Sequence, residues 1–184
     1  RGHEGMYKVG DEESVAFLYA KDRVGLAPVD EIRIGDARSE WIHRYRALGE
    51  RKEVKGSWWY DGEYNNVLFP TPAITRTGAS TTLGCEFRLR IDSNNHGIRL
   101  VRTTDKEDNR QLASVFVDGV RVKERKWFAV DFDRTFRGIR WFDSSFEIPA
   151  NYTRGKRTIQ VRVELESSKT GRWEDYGYTA YEYR

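Results

Sequence analysis

Along much of this chain apolar and polar residues alternate with a period of two. Phe87-Arg88-Leu89-Arg90-Ile91 and Ile159-Gln160-Val161-Arg162-Val163-Glu164-Leu165 carry an apolar side chain at every second position. That spacing puts the apolar set on one face of an extended strand and the polar set on the other. Shorter runs of the same character occupy residues 15–20, 31–34, 57–60, 97–102, 112–117, 120–124, 141–148 and 176–183, with turn residues between them. One junction is specific. Val115-Phe116-Val117 and Val120-Arg121-Val122 are separated only by Asp118-Gly119, a pair that tolerates the positive φ of a type I′ turn, so a tight antiparallel hairpin is expected there.

About ten strand-like segments at this spacing predict an all-β chain, a single jelly-roll β-sandwich of two antiparallel sheets. One segment is ambiguous. Residues 39–52 could form an amphipathic helix with Trp41, Tyr45 and Leu48 on one face, and a strand followed by a loop is the reading that suits the sandwich. Residues 1–13 are polar and glycine-rich, which predicts a flexible or partner-bound arm ahead of a domain over residues 14–184.

Composition narrows the picture. The 184 residues suit one domain able to bury a core without metal or disulfide staples. Lys and Arg total 32 against 29 Asp and Glu, a net charge of +3, too even for the concentrated basic footprint of a nucleic-acid binder. No apolar run approaches the roughly 18 residues of a membrane span. Cys85 is the sole cysteine and reads as a small buried hydrophobe. Asn151-Tyr152-Thr153 is an N-glycosylation sequon, with Asn151 its acceptor.

A wider set of motifs carries a resemblance. It includes Val29-Asp30-Glu31-Ile32-Arg33-Ile34-Gly35-Asp36, Ser39-Glu40 with His43 and Tyr45, and Gly97-Ile98-Arg99-Leu100 with Arg102, Asp105 and Gln111. It continues through Val117-Asp118-Gly119, Trp141-Phe142-Asp143, Phe146-Glu147-Ile148-Pro149-Ala150 and Thr153-Arg154-Gly155-Lys156. As a set these residues resemble the β-jelly-roll domains in or attached to secreted microbial carbohydrate-active proteins, similar to the jelly rolls of fructofuranosidase and difructose-anhydride glycoside hydrolases. The resemblance implies a jelly roll in an extracellular, carbohydrate setting. Those hydrolases are similar to a double jelly roll, whereas this chain has room for one, and no catalytic carboxylate pair maps onto it.

Candidate chemistry follows from the aromatics. Trp127, Trp141 and Trp173 could stack on the apolar faces of sugar rings, with Arg102, Asp105, Asp143 and Glu174 taking hydroxyls. The competing reading makes the tryptophans core packing. Arg99 and Arg102 lie three apart and point to opposite faces of a strand, so only one can face the core, and it would need a carboxylate partner there. Glu40 and His43, also three apart, would point to opposite sides of a strand. No catalytic residue or transition-metal site is expected, and no cofactor, although carboxylates over residues 105–108 leave room for Ca²⁺. Should the chain be a hydrolase, Glu147 and Glu174 are the carboxylates to examine.

The sequence therefore points to an extracellular, non-catalytic carbohydrate-binding or surface-structural domain with a polysaccharide partner. Two alternatives stand beside it. One is a self-assembling homo-oligomer or filament joined through the N-terminal arm. The other is a glycoside hydrolase acting on fructan- or arabinan-type glycans.

Overall fold

The structure, a computed structural model, describes residues 25–58, 74–105, 110–129 and 141–183. The expected strand at 15–20 and the N-terminal arm lie outside those residues. What is described is a β-sandwich. Its first sheet has the order β1-β13-β6-β10, formed by β1 (Ala27–Arg33), β13 (Gly177–Glu182), β6 (Gly97–Asp105) and β10 (Trp141–Pro149). Its second runs β2-β5-β11-β7-β8, from β2 (Arg46–Leu48), β5 (Gly84–Arg90), β11 (Thr158–Ser167), β7 (Gln111–Val117) and β8 (Val120–Arg121), with β9 (Trp127–Ala129) also paired to β7. All these pairings are antiparallel.

The alternating segments do what their period requires. Phe87 and Leu89 of β5 and Ile159, Val161 and Val163 of β11 are buried in the core. Ile98 and Leu100 of β6 and Phe146 and Ile148 of β10 face them from the first sheet. Aromatic contacts cross between the sheets: Phe87 lies 4.4 Å from Tyr178, and Trp127 5.5 Å from Phe146. The hairpin forms as expected, with φ of 49° at Asp118 and 81° at Gly119 and Val117 paired with Val120. The Asp118 carboxylate also accepts from the Gln160 backbone N–H and the Lys156 ammonium, tying the turn to β11.

A third, small sheet was not foreseen. It has the order β12-β4-β3, built from β12 (Trp173–Asp175), β4 (Ile74–Thr81) and β3 (Arg51–Trp58). β2 leads into β3 and β4 into β5, so one long hairpin bends from the second sheet into the third, as sheet-switching corner strands do. Gly84 makes the bend: its φ is 108°, and a Cβ there would sit 2.0 Å from the Val163 carbonyl oxygen. β12 then passes through Tyr176 into β13, joining the third sheet to the first.

Residues 39–52 depart from the strand-and-loop expectation. They hold the end of α1 (Ala37–Ile42), then β2 and the start of β3. Asp36 caps the helix, its Oδ1 accepting from the Arg38 and Ser39 N–H groups at 2.9 and 3.0 Å. Arg44, at φ 50°, turns the chain sharply out of it. A second short helix, α2 (Ala150–Thr153), follows β10.

Candidate functional site

Four of the expected site residues, Arg102, Asp105, Trp127 and Trp173, are buried and cannot belong to a surface. Arg102, Trp127 and Trp173 come together, but inside the core, at 0%, 1% and 0% exposure. The Arg102 guanidinium lies 3.5 Å from the Trp173 ring centroid and 5.6 Å from that of Trp127, and its Nη1 donates to Gln111 Oε1 at 2.7 Å. Trp127 Nε1 donates to Ser144 Oγ at 2.7 Å, and Trp173 Nε1 to the Tyr178 hydroxyl at 2.9 Å. A ring enclosed on both faces cannot stack on a ligand, so Trp127 and Trp173 are corrected to core residues. Arg102 is the inward member of its pair, held by an amide oxygen and two indole faces, with its charge acting on the buried carboxyl of Asp175. Arg99 lies on the outer face, ion-paired with Glu147 and near the Tyr183 ring.

The remaining candidates gather around the end of β6 but differ in burial. Asp105 is buried at the end of β6, so it too is no rim ligand. Asp143 is exposed on β10 and accepts from Thr103 Oγ1 at 2.6 Å. Glu174 is half-buried on β12 and accepts from the Tyr176 hydroxyl. The Trp141 backbone opens β10 opposite Asp105, and its side chain lies outside the described residues. Residues 106–109 also lie outside them, and among the described residues no group of three His, Cys, Asp or Glu could hold a metal ion. Asn151 is exposed on α2, whereas Thr153 of the same sequon is buried and donates to Asn95 Oδ1.

Nor do Glu147 and Glu174 pair. Glu147 stands opposite Arg99 in β6, while Thr104 of that strand bonds the Glu174 carbonyl. Five residues of strand separate those points by about 16 Å, beyond the roughly 5–9.5 Å of a glycosidase pair.

The core holds a second polar group of atoms beside Arg102. Asp175 is fully buried and accepts from the Tyr178 hydroxyl at 2.6 Å and the Tyr45 hydroxyl at 3.0 Å. Burial pushes its carboxyl above the ordinary value, against the hydroxyl of Tyr178 and the charge of Arg102. Burial also pushes the Cys85 thiol well up, with Asp175 adding to it. Cys85 is thus the buried, inert residue its sequence context suggests, 3.2 Å from the Tyr178 hydroxyl.

The surface offers a different place. An open cleft of about 800 Å³ lies beside α1, lined among others by Glu40, Trp41, Arg44, Tyr45, Arg46 and Arg90. One side of α1 is tied down. Ser39 Oγ accepts from the Arg33 N–H, Glu40 Oε1 from the Gly35 N–H, and Arg51 grips Glu40 with two bonds of 2.9 and 2.6 Å. Burial alone would raise the Glu40 carboxyl, but the bonds from Arg51 and Gly35 hold it below its ordinary value. His43 closes the helix, with Nδ1 donating to the Ser39 carbonyl at 2.7 Å and Nε2 3.0 Å from Asp30 Oδ1. Glu40 and His43 therefore brace α1 and form no acid–base pair.

This anchoring turns the other side of α1 outward. Trp41 is 79% exposed, the largest exposure among the described large hydrophobic residues, and Ile42 is 39% exposed. A scattered exposed leucine means little, but a rigidly mounted indole on the rim of a cleft is a ready stacking platform. Tyr45 links the cleft to the core, since its ring lines the wall while its hydroxyl reaches Asp175. Arg46 is held by Glu86. The signal for this site was present in Gly35-Asp36 followed by Ala-Arg-Ser-Glu, a helix start.

No protein-family model matches the chain, and no curated protein matches it in sequence. Solved structures resemble it in fold. The plant receptor-like kinase ANX2 aligns over 86% of this chain and 49% of its own, at 11% identity and a TM-score of 0.51; the chain thus spans about half of that protein. A family 35 carbohydrate binding module from Clostridium thermocellum aligns over 84% of this chain and 97% of its own, at 11% identity and a TM-score of 0.47. The CBM51-2 structure from Clostridium perfringens ZmpB, in complex with GlcNAc, aligns over 75% and 29%, at 10% identity and a TM-score of 0.36. At such identities the likeness concerns the β-sandwich alone.

Proposed function

We propose that this β-sandwich is an extracellular, non-catalytic carbohydrate-binding domain and that its ligand lies in the cleft beside α1. The single observation carrying this reading is Trp41, exposed at 79% on the rim of an 800 Å³ cleft. An indole face matches the apolar C–H face of a pyranose ring, and the polar groups around it can take hydroxyls. α1 is fixed at both ends and along its inner side, so the platform is organised before the ligand arrives and little ordering entropy opposes binding. The extracellular setting belongs to the proposal. No helix among the described residues is long and apolar enough to cross a membrane.

The test is affinity gel electrophoresis over a panel of polysaccharides, with Trp41→Ala beside the parent. A glycan that retards the parent should retard the variant at least about tenfold less, since base–aromatic stacking, a comparable contact, is worth about 1–3 kcal/mol. Equal retardation removes the cleft from the reading. Release of sugar from a retained glycan would overturn its non-catalytic part.

A further inference from the structure

The charges around the cleft are unevenly satisfied, and the imbalance points to a ligand class. Glu40 is gripped by Arg51, and Asp30 receives the Arg90 N–H on Oδ2 while facing His43 on Oδ1. Glu86 holds Arg46. Glu40, the carboxylate that lines the cleft, and the two carboxylates bonded to residues around it are therefore engaged. Arg44 and Arg90 also line the cleft and are exposed, and among the described residues neither guanidinium has a carboxylate partner. Arg90 further lines a second open cleft of about 480 Å³, together with Arg157, Asp92 and Glu182. Glu182 is buried and accepts from the Asp92 N–H, which leaves Asp92 as the exposed carboxylate there.

Two free guanidiniums flanking an exposed indole suit a ring that carries negative charge. A planar guanidinium presents paired donors to a carboxylate or sulfate. Resting on the glycan-binding reading above, we infer that the cleft takes an acidic sugar, the ring stacked on Trp41 and its anionic group held by Arg44 and Arg90. Arg90, shared by the two clefts, lets a second residue of an acidic chain continue toward Arg157. Nucleic acid fits less well, because Asp92 and the engaged Glu40 and Glu86 interrupt any continuous basic track for a phosphate backbone.

The experiment compares retention on gels containing polygalacturonate (carboxylate), chondroitin sulfate (carboxylate and sulfate), κ-carrageenan (sulfate only) and neutral xylan, with a single-stranded oligonucleotide as competitor. At least one acidic polymer should retain the chain about tenfold more strongly than xylan, with retention falling as salt rises. Polygalacturonate alone would name a carboxylate, and carrageenan alone a sulfate. Arg44→Gln with Arg90→Gln should lower the acidic-to-neutral ratio about tenfold or more, whereas Arg121→Gln on β8, three strands from β5, should leave that ratio unchanged. An unchanged ratio in the double variant overturns the inference, as does oligonucleotide displacing the polymer at equal charge. If xylan is retained in a Trp41-dependent way with no acidic preference, the glycan reading survives and the acidic one falls. If Trp41→Ala alters nothing on any gel, both fall.

Discussion

Two aromatic regions of this molecule have the same side-chain chemistry and opposite fates. In the core, Trp127 and Trp173 are enclosed, each indole N–H has a partner, and Arg102 lies across both rings. Beside α1, Trp41 stands almost free on a helix whose other side is bonded to β1 and β3. The difference is in what surrounds each ring. Residues on a strand between two sheets meet side chains from both, while a six-residue helix laid on a sandwich edge can bury only one side. An exposed aromatic marks function only when its neighbours explain why it stays exposed.

The largest effect that sharpens this contrast belongs to the core. Trp173→Ala should cost about 3–5 kcal/mol, read as a large drop in the urea midpoint or failure to fold. A shift under about 1 kcal/mol would mean that Trp173 is not enclosed. Next comes the link between the regions. Tyr45→Phe removes one donor from the buried Asp175 and should cost about 1–3 kcal/mol by the same measurement, with the cleft wall otherwise intact.

A smaller effect separates the two regions by pH. Asp175 has its carboxyl raised above the ordinary 3.8 by burial, so its contribution is fully present below that value and is lost as pH rises through the raised one. Glu40 is held below its ordinary 4.5, burial being outweighed by its bonds, so its contribution is present above 4.5 and is lost as pH falls through the lowered value. Urea midpoints followed across pH should therefore change in opposite senses: Asp175→Asn removes a decline toward neutral pH, and Glu40→Gln removes a decline toward acid. Parallel profiles for the two variants would refute the contrast.

The sequence made the sandwich legible wherever alternation ran long enough to define a face. Five residues sufficed at Phe87–Ile91 and seven at Ile159–Leu165, and the Asp118-Gly119 turn set its own register. The tryptophans fell where that rule has no purchase. Trp127 and Trp173 open strands of three residues, too short to show which parity faces inward. β4, Ile-Thr-Arg-Thr-Gly-Ala-Ser-Thr, is nearly devoid of apolar residues and is held by backbone pairing to β3 and β12 on either side. α1 has fewer than two turns, so its apolar residues describe no stripe. Its capping residue was the better guide, and it points to Trp41 once the helix is recognised.

The smallest stability effect carries the most weight. Trp41→Ala should change the urea midpoint by no more than about 0.5 kcal/mol equivalent, as surface substitutions do, and yet remove glycan binding. Isothermal titration of the variant with a polysaccharide that binds the parent tests this directly. The variant should keep full folding stability with binding heat reduced to the level of dilution; unchanged affinity, or binding lost only together with the fold, would contradict a ligand stacked on Trp41.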